Sequence, residues 1–596
     1  MLARTDSRAR ALVLLIVAAI AATVIGARLA WWQVAQQGYL AELALHQLAQ
    51  NEELPAERGE IVDVNGELLA TSVELQSIFA TPPTLADPGL AATILASVLD
   101  MPQDELRSRL SGDQPWVWLK RRVAPEVAER VRSLHLHGIG MLPETKRVYP
   151  VQGVASATTI AAQLIGFVDV NGNGQYGVEG EENALLAGTP GTVTAQEDVI
   201  GRRIADSATL LREPLDGSDL RLTIDAGVQH LLEQEMWSTY QKNHAAGVTG
   251  LIMDADTGEI VAMASYPSYD ANAFATTDGD LFSNPAIARQ YEPGSVMKAF
   301  TIAAALDADK ITLKDTFLDN NDLEIGDVRI QNADRYDHPW GHGPITASDV
   351  LALSNNVGAA KIGLTLGREN LYEAFRRFGF GQPTGIDLAG EAGGVLWDPD
   401  GPNASGDLTA AQNSFGQGLS LTAVQLVAGY ASFANGGLLV TPHVVAGWTD
   451  PDGTTHDVAQ PPAERIMREE TARTLVGLLT NSVDNGIANG AALAGYTVAG
   501  KTGTAQIAAP VQVKDADGRT VEQWRYIDGW VDSSFVGFLP SSDRKLVALV
   551  LIHRPAIWGR YRMAERPETV YARLMPQILD YLAIAPDRPL EPVAQP

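Results

Sequence analysis

Ser295 and Lys298 are the two residues whose types and spacing first indicate covalent chemistry. Pro293 and Gly294 before them fit poorly inside a helix, whereas the apolar, alanine-rich run 299–306 after them favours one. A helix that begins here puts both side chains on one face, with their β-carbons about 5–6 Å apart. A lysine that apolar neighbours shield from water loses its proton more readily, so it could activate a serine nucleophile.

The spacing alone does not establish this chemistry. Ser542 and Lys545 repeat it within the sequence Pro-Ser-Ser-Asp-Arg, which is typical of a solvated loop. The first pair therefore needs support from other parts of the chain.

Two later motifs could supply what an acyl-serine site still lacks, which is a proton shuttle and oxyanion donors. The motif 354–356 (Ser-Asn-Asn) lies between a helical run that begins at Thr346 and a second run, 358–366. The motif 501–504 (Lys-Thr-Gly-Thr) lies late in a strand rich in β-branched residues. Together with the first pair they could form a complete acylation site.

We expect the residues of these motifs to divide the work of acylation between them. Neutral Lys298 takes the proton of Ser295. Ser354 and Lys501 relay a proton to the departing amine, and Asn356 hydrogen-bonds a substrate amide. Base catalysis of this kind is typically worth about 10²–10⁴-fold in rate.

The third motif is expected to bind the substrate at a strand edge. Gly503 has no side chain, so a substrate can approach the strand there. The Thr504 N–H could then join the Ser295 N–H as an oxyanion donor, and one such donor is worth about 10²–10³-fold. The hydroxyls of Thr502 and Thr504 beside Lys501 suit a substrate carboxylate.

The composition limits the class of protein. With 596 residues the chain is too long for one ordinary core, and two or three domains are expected. A hydrophobic content of 45% with 19% charged residues is typical of a folded protein. The net charge of −28 argues against a nucleic-acid partner, because phosphate binding needs clustered Lys and Arg. The absence of cysteine excludes disulfides, thiolate metal sites and a cysteine nucleophile.

The N-terminus predicts a cytoplasmic tail, 1–10, and a transmembrane anchor, 11–32. Arginines precede the almost uncharged run 11–27 and two tryptophans follow it, which predicts a cytoplasmic N-terminus and an exported remainder. A cleaved signal peptide is the alternative, but its small residues, 19–21, lie within the apolar run. No second apolar run of similar length occurs, so a single-pass protein is expected. The helical pattern at 33–50 predicts a juxtamembrane helix.

The remainder predicts three segments: a mixed α+β domain at 51–215, an α/β domain at 216–588 and a short tail at 589–596. In the first domain an Asn-Gly turn joins two short strands within 58–70, a strong hairpin signal. In the second, apolar hairpins at 247–265 and 533–552 enclose a series of helices. This order suggests an antiparallel sheet with helices on its faces.

The three motifs, in this order and with these spacings, resemble those of the penicillin-binding protein transpeptidases and the serine β-lactamases. The resemblance covers nearly the whole chain, including the anchor. Further segments are similar to class B penicillin-binding proteins: Arg58-Gly59 with Asp63 and Asn65-Gly66, Gly177-Val178-Glu179, 222–225 (Leu-Thr-Ile-Asp), 291–294 (Tyr-Glu-Pro-Gly) and 534–537 (Ser-Phe-Val-Gly). The stretch 414–420 is similar to division-type members more than to elongation-type ones.

The resemblance implies a D,D-transpeptidase that cross-links peptidoglycan stem peptides ending in D-Ala-D-Ala, at cell division. It implies a penicillin-binding/serine β-lactamase-like fold that follows a transmembrane helix and an α+β pedestal of the dimerisation type. It further implies covalent inhibition by β-lactams and a place in the bacterial inner membrane, with a SEDS-family glycosyltransferase and other divisome proteins as partners. No cofactor and no metal are expected.

Other functions of the same fold stay open at this point. An elongation-type transpeptidase, a carboxypeptidase and a non-catalytic penicillin-binding sensor or scaffold share these motifs. A sensor should carry further spans or a cytoplasmic effector, and the ten residues before the anchor cannot form one. A β-lactamase needs an extra base for its deacylating water, and the sequence does not identify one.

Two patterns suggest sites of other kinds. Residues 495–502 satisfy the P-loop spacing, but the chain after Lys501 continues as a strand, whereas a P-loop lysine should open a helix. Residues 169–174 open like a calcium loop, yet position twelve is Gly180 where a bidentate Glu is needed. We therefore expect a strand at the first and a polar turn at the second.

A third pattern has the residue types of a metal site. Asp337, His338 and His342 resemble metal ligands. A proline and two glycines in the same stretch forbid the helix that such spacing uses, so a loop is expected.

Overall fold

The structure is a computed structural model that describes residues 7–40, 49–196, 209–398, 401, 405–514, 519–556 and 563–589. The chain forms two units, one of residues 1–57 with 188–217 and one of residues 58–187 with 218–596. The segment predicted as one domain at 51–215 therefore contributes to both. Of the predicted tails, residues 1–6 and 590–596 lie outside the described residues.

The smaller unit contains the predicted anchor. Its apolar helix, Ser7–Ala30, continues into a five-residue π-helical turn, Trp31–Ala35. The stretch Arg8–Ala35 has a mean hydropathy of 2.5 in its most apolar window, and none of that window is buried in protein. Its 28 residues are long and apolar enough to anchor the chain in a membrane.

The rest of the smaller unit is a three-stranded antiparallel sheet in the order Ala49–Leu54, Gly191–Gln196, Thr209–Arg212. The juxtamembrane helix predicted over 33–50 is wrong at its end, because the last two of its residues belong to the first strand. Backbone pairing with the second strand supplies the hydrogen bonds that a helix would otherwise make. Residues 41–48 lie outside the described residues.

A seven-stranded sheet joins the N-terminal and C-terminal parts of the larger unit. Six strands follow the order Thr455–Asp457, Val445–Thr449, Asp219–Leu222, Ile61–Val62, Leu68–Ala80, Val117–Val123, and Ile139–Val148 also pairs with Leu68–Ala80. The hairpin predicted at the Asn-Gly turn is confirmed, since Ile61 pairs with Ala70. Gly66 in that turn has a φ of 85°, which glycine adopts without steric cost.

Three helices pack on the outer strands of this sheet: Pro88–Leu99, Gln103–Leu110 and Pro125–Ser133. Buried apolar side chains of all three helices form one cluster with Ile78 and Leu119 of the strands. The N-terminal part of the larger unit thus has a small core of its own.

The C-terminal part is built on a five-stranded antiparallel sheet. Its strands in chain order are β1 (Gly247–Asp254), β2 (Ile260–Tyr266), β3 (Ala499–Lys514), β4 (Thr520–Phe538) and β5 (Leu546–His553). Their spatial order is β2-β1-β5-β4-β3. Both predicted apolar hairpins are confirmed, because β1 pairs with β2 and β4 pairs with β5. β3, which carries the third motif, is the last strand of the sheet on its side.

Helices cover both faces of this sheet, as predicted. The main ones are α1 (Ala226–Asn243), α2 (Met297–Asp307), α3 (Ala347–Ala352), α4 (Asn356–Leu366), α5 (Arg368–Arg377), α6 (Asp407–Asn413), α7 (Ala423–Ala434), α8 (Glu469–Asp484) and α9 (Pro567–Tyr581). Leu251 of β1 shares a buried cluster with α2 and α7, whereas the next residue, Ile252, shares one with α1 and α9. Successive side chains of a strand point to opposite faces, so β1 is apolar throughout because both of its faces are buried.

The turn at 169–174 is the predicted polar turn. The carboxylate of Asp169 accepts hydrogen bonds from the backbone N–H groups of the two asparagines that follow it in the turn. Glu179, an acid beside the expected twelfth position, is fully buried and pairs with Arg58 (2.6 Å) and Arg147 (2.7 Å). These two ion pairs use the carboxylate, so it is held by arginine and not directed at the turn.

Candidate active site

Ser295 lies in a 3₁₀ turn, Gly294–Val296, that leads directly into α2. Gly294 has a φ of 61°, and its N–H donates to the carbonyl oxygen of Gly416 at 3.0 Å. A β-carbon on Gly416 would lie 2.0 Å from the carbonyl oxygen of Gly294, so only glycine permits this approach. The turn that carries the serine is thus held by a distant loop as well as by its own helix.

Lys298 lies in the first turn of α2 and has no exposed surface. Its Nζ lies 2.9 Å from Ser295 Oγ, 2.8 Å from Asn356 Oδ1 and 2.5 Å from the carbonyl oxygen of Ser354. Burial, reinforced by the positive charge of Lys501, holds the pKa of Lys298 well below its usual value. A neutral amine within hydrogen-bond reach of a hydroxyl is the arrangement that a general base requires.

Ser354 lies between α3 and α4 with a φ of 55°, which is uncommon for a residue other than glycine. Its Oγ lies 3.1 Å from the Nζ of Lys298 and 3.0 Å from the Nζ of Lys501. One hydroxyl thus bridges two buried amines. Because a hydroxyl can accept one proton while donating its own, this bridge can pass a proton between them.

Lys501 is buried in β3 with no exposed surface. Burial lowers the pKa of Lys501 to about 7, and the carboxyl group of Glu568 acts in the opposite direction. An amine with a pKa near 7 can both release and take up a proton at neutral pH. This property suits the predicted shuttle.

A network of amide and carboxylate groups holds the Ser-Asn-Asn motif in place. The buried carboxylate of Asp319 accepts hydrogen bonds from the Nδ2 of Asn355 (2.6 Å) and the Nδ2 of Asn332 (2.9 Å). The Oδ1 of Asn332 in turn accepts from the N–H of Asn356 (2.9 Å). Asn355 is also the N-cap residue of α4. Hydrogen bonds at Asn355 and Asn356 therefore hold the loop that carries Ser354.

The third motif packs against the turn that carries the nucleophile. A β-carbon on Gly503 would lie 2.8 Å from the carbonyl oxygen of Pro293 and 2.6 Å from Ser534 Oγ. The missing side chain therefore leaves room for the protein's own turn, a reason different from the predicted opening for a substrate. Thr502 and Thr504, on either side, line the adjoining cavity.

This cavity has a volume of about 410 Å³, and Ser295, Ser354 and Asn356 line it together with the two threonines. The buried amine of Lys298 contacts the hydroxyl of Ser295 in the cavity wall, and that of Lys501 contacts the hydroxyl of Ser354. Its size falls within the usual range of small-molecule sites, about 300–1,000 Å³. All the predicted site residues thus lie in or beside one cavity.

Comparison with known proteins assigns this site to a family. Residues 248–575 match the penicillin binding protein transpeptidase domain. The chain belongs to the penicillin-binding protein family. Residues 53–222 match the penicillin-binding protein dimerisation domain, so this penicillin-binding protein has the two domains that its class B motifs predict.

Relatives of the chain extend over most of its length. Stage V sporulation protein D of Bacillus subtilis is 32% identical over 92% of this chain and 82% of its own. Peptidoglycan D,D-transpeptidase FtsI of Escherichia coli is 30% identical over 94% of this chain and 90% of its own. The crystal structure of penicillin binding protein 3 from Mycobacterium tuberculosis, complexed with aztreonam, has a TM-score of 0.67 at 24% identity and covers 91% of this chain and all of its own. The predicted fold class, a penicillin-binding/serine β-lactamase-like α/β domain after a pedestal, is confirmed.

The sequence does not predict Asp319 and Asn332 as part of the site in this penicillin-binding protein. Burial acts to raise the pKa of Asp319, but hydrogen bonds, among them those from Asn321 and Asn332, outweigh it and hold the pKa below its usual value. The carboxylate therefore stays ionised and accepts hydrogen bonds only. The one sequence signal is the polar run 319–322 (Asp-Asn-Asn-Asp), which is dense in such acceptors.

The second serine–lysine pair has no part in the site. Ser542 Oγ accepts a hydrogen bond from the N–H of Arg544 (3.3 Å), and Lys545 pairs with Asp256 (3.0 Å). The pair lies in the turn before β5, as its polar surroundings predict. The strand expected at the P-loop-like spacing is confirmed, since Lys501 lies inside β3 and no helix begins there.

The metal-like pattern forms a loop, as predicted, but its carboxylate is misassigned. Asp334, not Asp337, approaches the two histidines, His338 and His342. The reason is a single helical turn in which the Asp334 carbonyl oxygen accepts from the N–H of His338 (2.9 Å). Residues four apart in such a turn share a face, whereas adjacent ones do not.

Proposed function

We propose that this chain is a peptidoglycan D,D-transpeptidase whose nucleophile is Ser295. The observation that carries the proposal is the 2.9 Å distance between Ser295 Oγ and the Nζ of Lys298, a fully buried amine with a lowered pKa. The relatives named as peptidoglycan D,D-transpeptidases support the same reaction class. The penicillin-binding domain supports stem peptides and β-lactams as ligands of the cavity.

Acylation begins when Ser295 Oγ attacks the carbonyl carbon of the penultimate D-Ala and its proton passes to Lys298. The N–H groups of Ser295 and Thr504 stabilise the resulting oxyanion. The carbon–nitrogen bond then breaks, and the terminal D-Ala leaves with a proton delivered through Ser354 from Lys298 or Lys501. The product is an ester between Ser295 and the shortened stem peptide.

Transfer reverses these proton movements. The amine of a second stem peptide attacks the ester carbonyl and gives up a proton to the Lys298–Ser354 relay. The ester bond breaks, Ser295 Oγ takes back a proton, and the new amide joins the two peptides. No step needs an oxidant, a reductant or a group outside the chain and its two substrates.

Covalent labelling tests the nucleophile. The full-length protein in detergent should form a one-to-one adduct with a fluorescent penicillin, seen by gel fluorescence and intact mass. Ser295→Ala should lose the adduct, whereas Ser542→Ala, which removes the serine of the matched pair, should keep it. An adduct that survives Ser295→Ala would overturn the assignment.

A second assay separates transpeptidation from its alternatives. With a pentapeptide donor and an amine acceptor, a transpeptidase forms the cross-linked product and releases one D-Ala for each bond made. Release of D-Ala without a cross-linked product would indicate a carboxypeptidase. Acylation by penicillin with neither product would indicate the sensor or scaffold.

A role at division is supported by the relatives named FtsI and stage V sporulation protein D. The stretch 414–420, which is similar to division-type members, borders the cavity through Phe415 and Gln417. Depletion of the protein in its own bacterium should therefore give filaments with blocked septa. Round, widened cells would instead indicate the elongation type.

The apolar helix supports a single-pass topology with the cavity outside the cytoplasm. A reporter enzyme that is active only outside the cytoplasm, fused after the last residue, should be active. We further propose that a SEDS-family glycosyltransferase and other divisome proteins bind the protein in the inner membrane. Co-purification of such a glycosyltransferase from crosslinked membranes would test this, with an anchor-less variant as the control.

A further inference from the structure

Three side chains that play no part in the proposed acyl transfer converge on the wall of the active-site cavity. One ligand atom each from Asp334, His338 and His342 lies within 4.8 Å of the other two. The Nε2 of His342 lies 2.8 Å from the Oδ2 of Asp334, and the two imidazole rings lie 4.4 Å apart between centroids. All three residues line the same cavity as Ser295.

The backbone holds this cluster in position without a metal. The helical turn places Asp334 and His338 on one side, and the N–H of Gly341 then donates to the His338 carbonyl oxygen (3.0 Å). Gly341 has a φ of 70°, and a β-carbon there would lie 2.4 Å from the Asp319 carbonyl oxygen. The N–H of His342 donates to the Asp319 carboxylate (3.0 Å). The turn and this anchor bring the second imidazole back towards the first.

We propose that Asp334, His338 and His342 bind a divalent transition-metal ion, with Zn²⁺ the best match. Two imidazoles and one carboxylate are the ligand set of open zinc sites, in which water or substrate takes the fourth position. Ca²⁺ and Mg²⁺ prefer oxygen ligands throughout and fit this set poorly. Because the three residues face the cavity, the open position faces the space that a stem peptide would occupy.

The Asp319 carboxylate supports the site from behind and is not a ligand. It is occupied by hydrogen bonds from Asn332, Asn355 and the backbone of His342. Such outer partners orient the ligands of metal sites, and their loss typically costs about 10–100-fold in metal affinity. The same carboxylate therefore holds the metal loop on one side and the Ser-Asn-Asn motif on the other.

Metal binding is measured on the full-length protein after dialysis against a chelator. Zn²⁺ is added back, free metal is removed by gel filtration, and bound metal is counted by mass spectrometry and titrated against a chromogenic chelator. We expect one equivalent per chain, and an X-ray absorption spectrum with two imidazoles and Zn–N and Zn–O distances of about 2.0–2.2 Å. His338→Ala and Asp334→Asn should each weaken binding at least about tenfold, since even outer partners are worth that much.

The matched control is His456→Ala. His456 lies 2.8 Å from Asp450, the same distance as in the His342–Asp334 pair, but the structure places no third ligand with them among the described residues. This variant should bind Zn²⁺ as the wild type does. His338 is exposed, so its loss should leave the fold intact, which the melting temperature verifies.

Two results would overturn the proposal: a wild-type chain that retains no zinc, or His338→Ala and Asp334→Asn variants that bind it as tightly as the wild type. Binding of another first-row ion in preference to Zn²⁺ at these residues would support the site and correct the metal. The binding measurements do not depend on acyl transfer. Their failure would leave the proposed transpeptidase function untouched.

Discussion

The hydroxyl oxygen of Ser354 lies 3.0 Å from the amine of Lys501, and on its other side it lies 3.1 Å from the amine of Lys298. If this hydroxyl carries protons between the two amines, Ser354→Ala should lower the rate constant of penicillin acylation by about 10²–10⁴-fold, the usual worth of acid–base catalysis. Stopped-flow fluorescence measures this constant. Ser348→Ala, a serine of α3 that contacts Asn481 (3.1 Å) outside the cavity, should react normally. A Ser354→Ala rate within about twofold of the wild type would remove Ser354 from the mechanism.

The base role of Lys298 predicts a pH profile. Only the neutral amine can take the Ser295 proton, and burial holds the pKa of Lys298 well below its usual value. The acylation rate should therefore stay high at pH values well below 10.5, the ordinary pKa of a lysine, and should fall on further acidification. Lys298→Met should abolish acylation and keep a cooperative melting transition, while Lys310→Met, on the exposed surface after α2, should change neither. Normal acylation by Lys298→Met would exclude it as the base.

The close approach of Gly503 to the nucleophile turn predicts that even one methyl group is harmful. A β-carbon there would lie 2.6 Å from Ser534 Oγ and 2.8 Å from the Pro293 carbonyl oxygen, so Gly503→Ala must displace the turn or the strand. Overpacking of this kind typically costs about 1–3 kcal/mol. We expect a lower melting temperature together with slower acylation.

Gly477→Ala is the matched control for this change. Gly477 lies on an exposed face of α8, and a β-carbon there would meet no atom within 4 Å. Alanine should stabilise the helix by about 0.5–1 kcal/mol relative to glycine, an effect of the opposite sign. Equal effects of the two substitutions would contradict the close-contact explanation.

The sequence predicts Ser295 and Lys298 as a pair because helical spacing alone puts them on one face. It does not predict Asp319, because the role of that residue depends on contacts with Asn332 and Asn355, 13 and 36 residues further along the chain. The local sequence does not predict these contacts, because they join residues that are distant in the chain.

The same limit applies to the metal-like loop and to the end of the juxtamembrane segment. The types of His338 and His342 were visible, but one turn of backbone decides that Asp334 is their partner. Residues 49 and 50 continue a helical pattern in the sequence, yet pairing with Gly191–Gln196 makes them a strand. In both cases tertiary contacts outweigh the local preference.

The position of Asp319 beneath two loops predicts a combined defect. Asp319→Asn keeps the shape of the side chain but replaces one carboxylate oxygen with an NH₂ group. In the wild type both oxygens accept hydrogen bonds, so at least one buried donor loses its acceptor. Leaving buried donors unsatisfied costs about 1–3 kcal/mol, so the melting temperature should fall. Acylation should slow as well, because the Ser354 loop loses its support. Asp322→Asn, three residues on, weakens only an ion pair with Arg329 and should do neither. Unchanged acylation in Asp319→Asn would contradict this role.

The carboxyl group of Glu292, just before the nucleophile turn, predicts a pH-dependent stability. It accepts hydrogen bonds from the N–H of Gly418 (3.1 Å) and the hydroxyl of Tyr526 (3.0 Å), and burial raises the pKa of Glu292 to about 7 from an ordinary 4.5. Between these two values the folded chain binds the proton more tightly than the unfolded chain does, so this group makes the fold less stable as the pH rises from 4.5 to 7. Glu292→Gln keeps both hydrogen bonds and cannot ionise. The difference in melting temperature between Glu292→Gln and the wild type should therefore increase from pH 5 to pH 8. The exposed Glu373→Gln on α5 should follow the wild type at every pH. A difference for Glu292→Gln that does not change with pH would contradict the assignment.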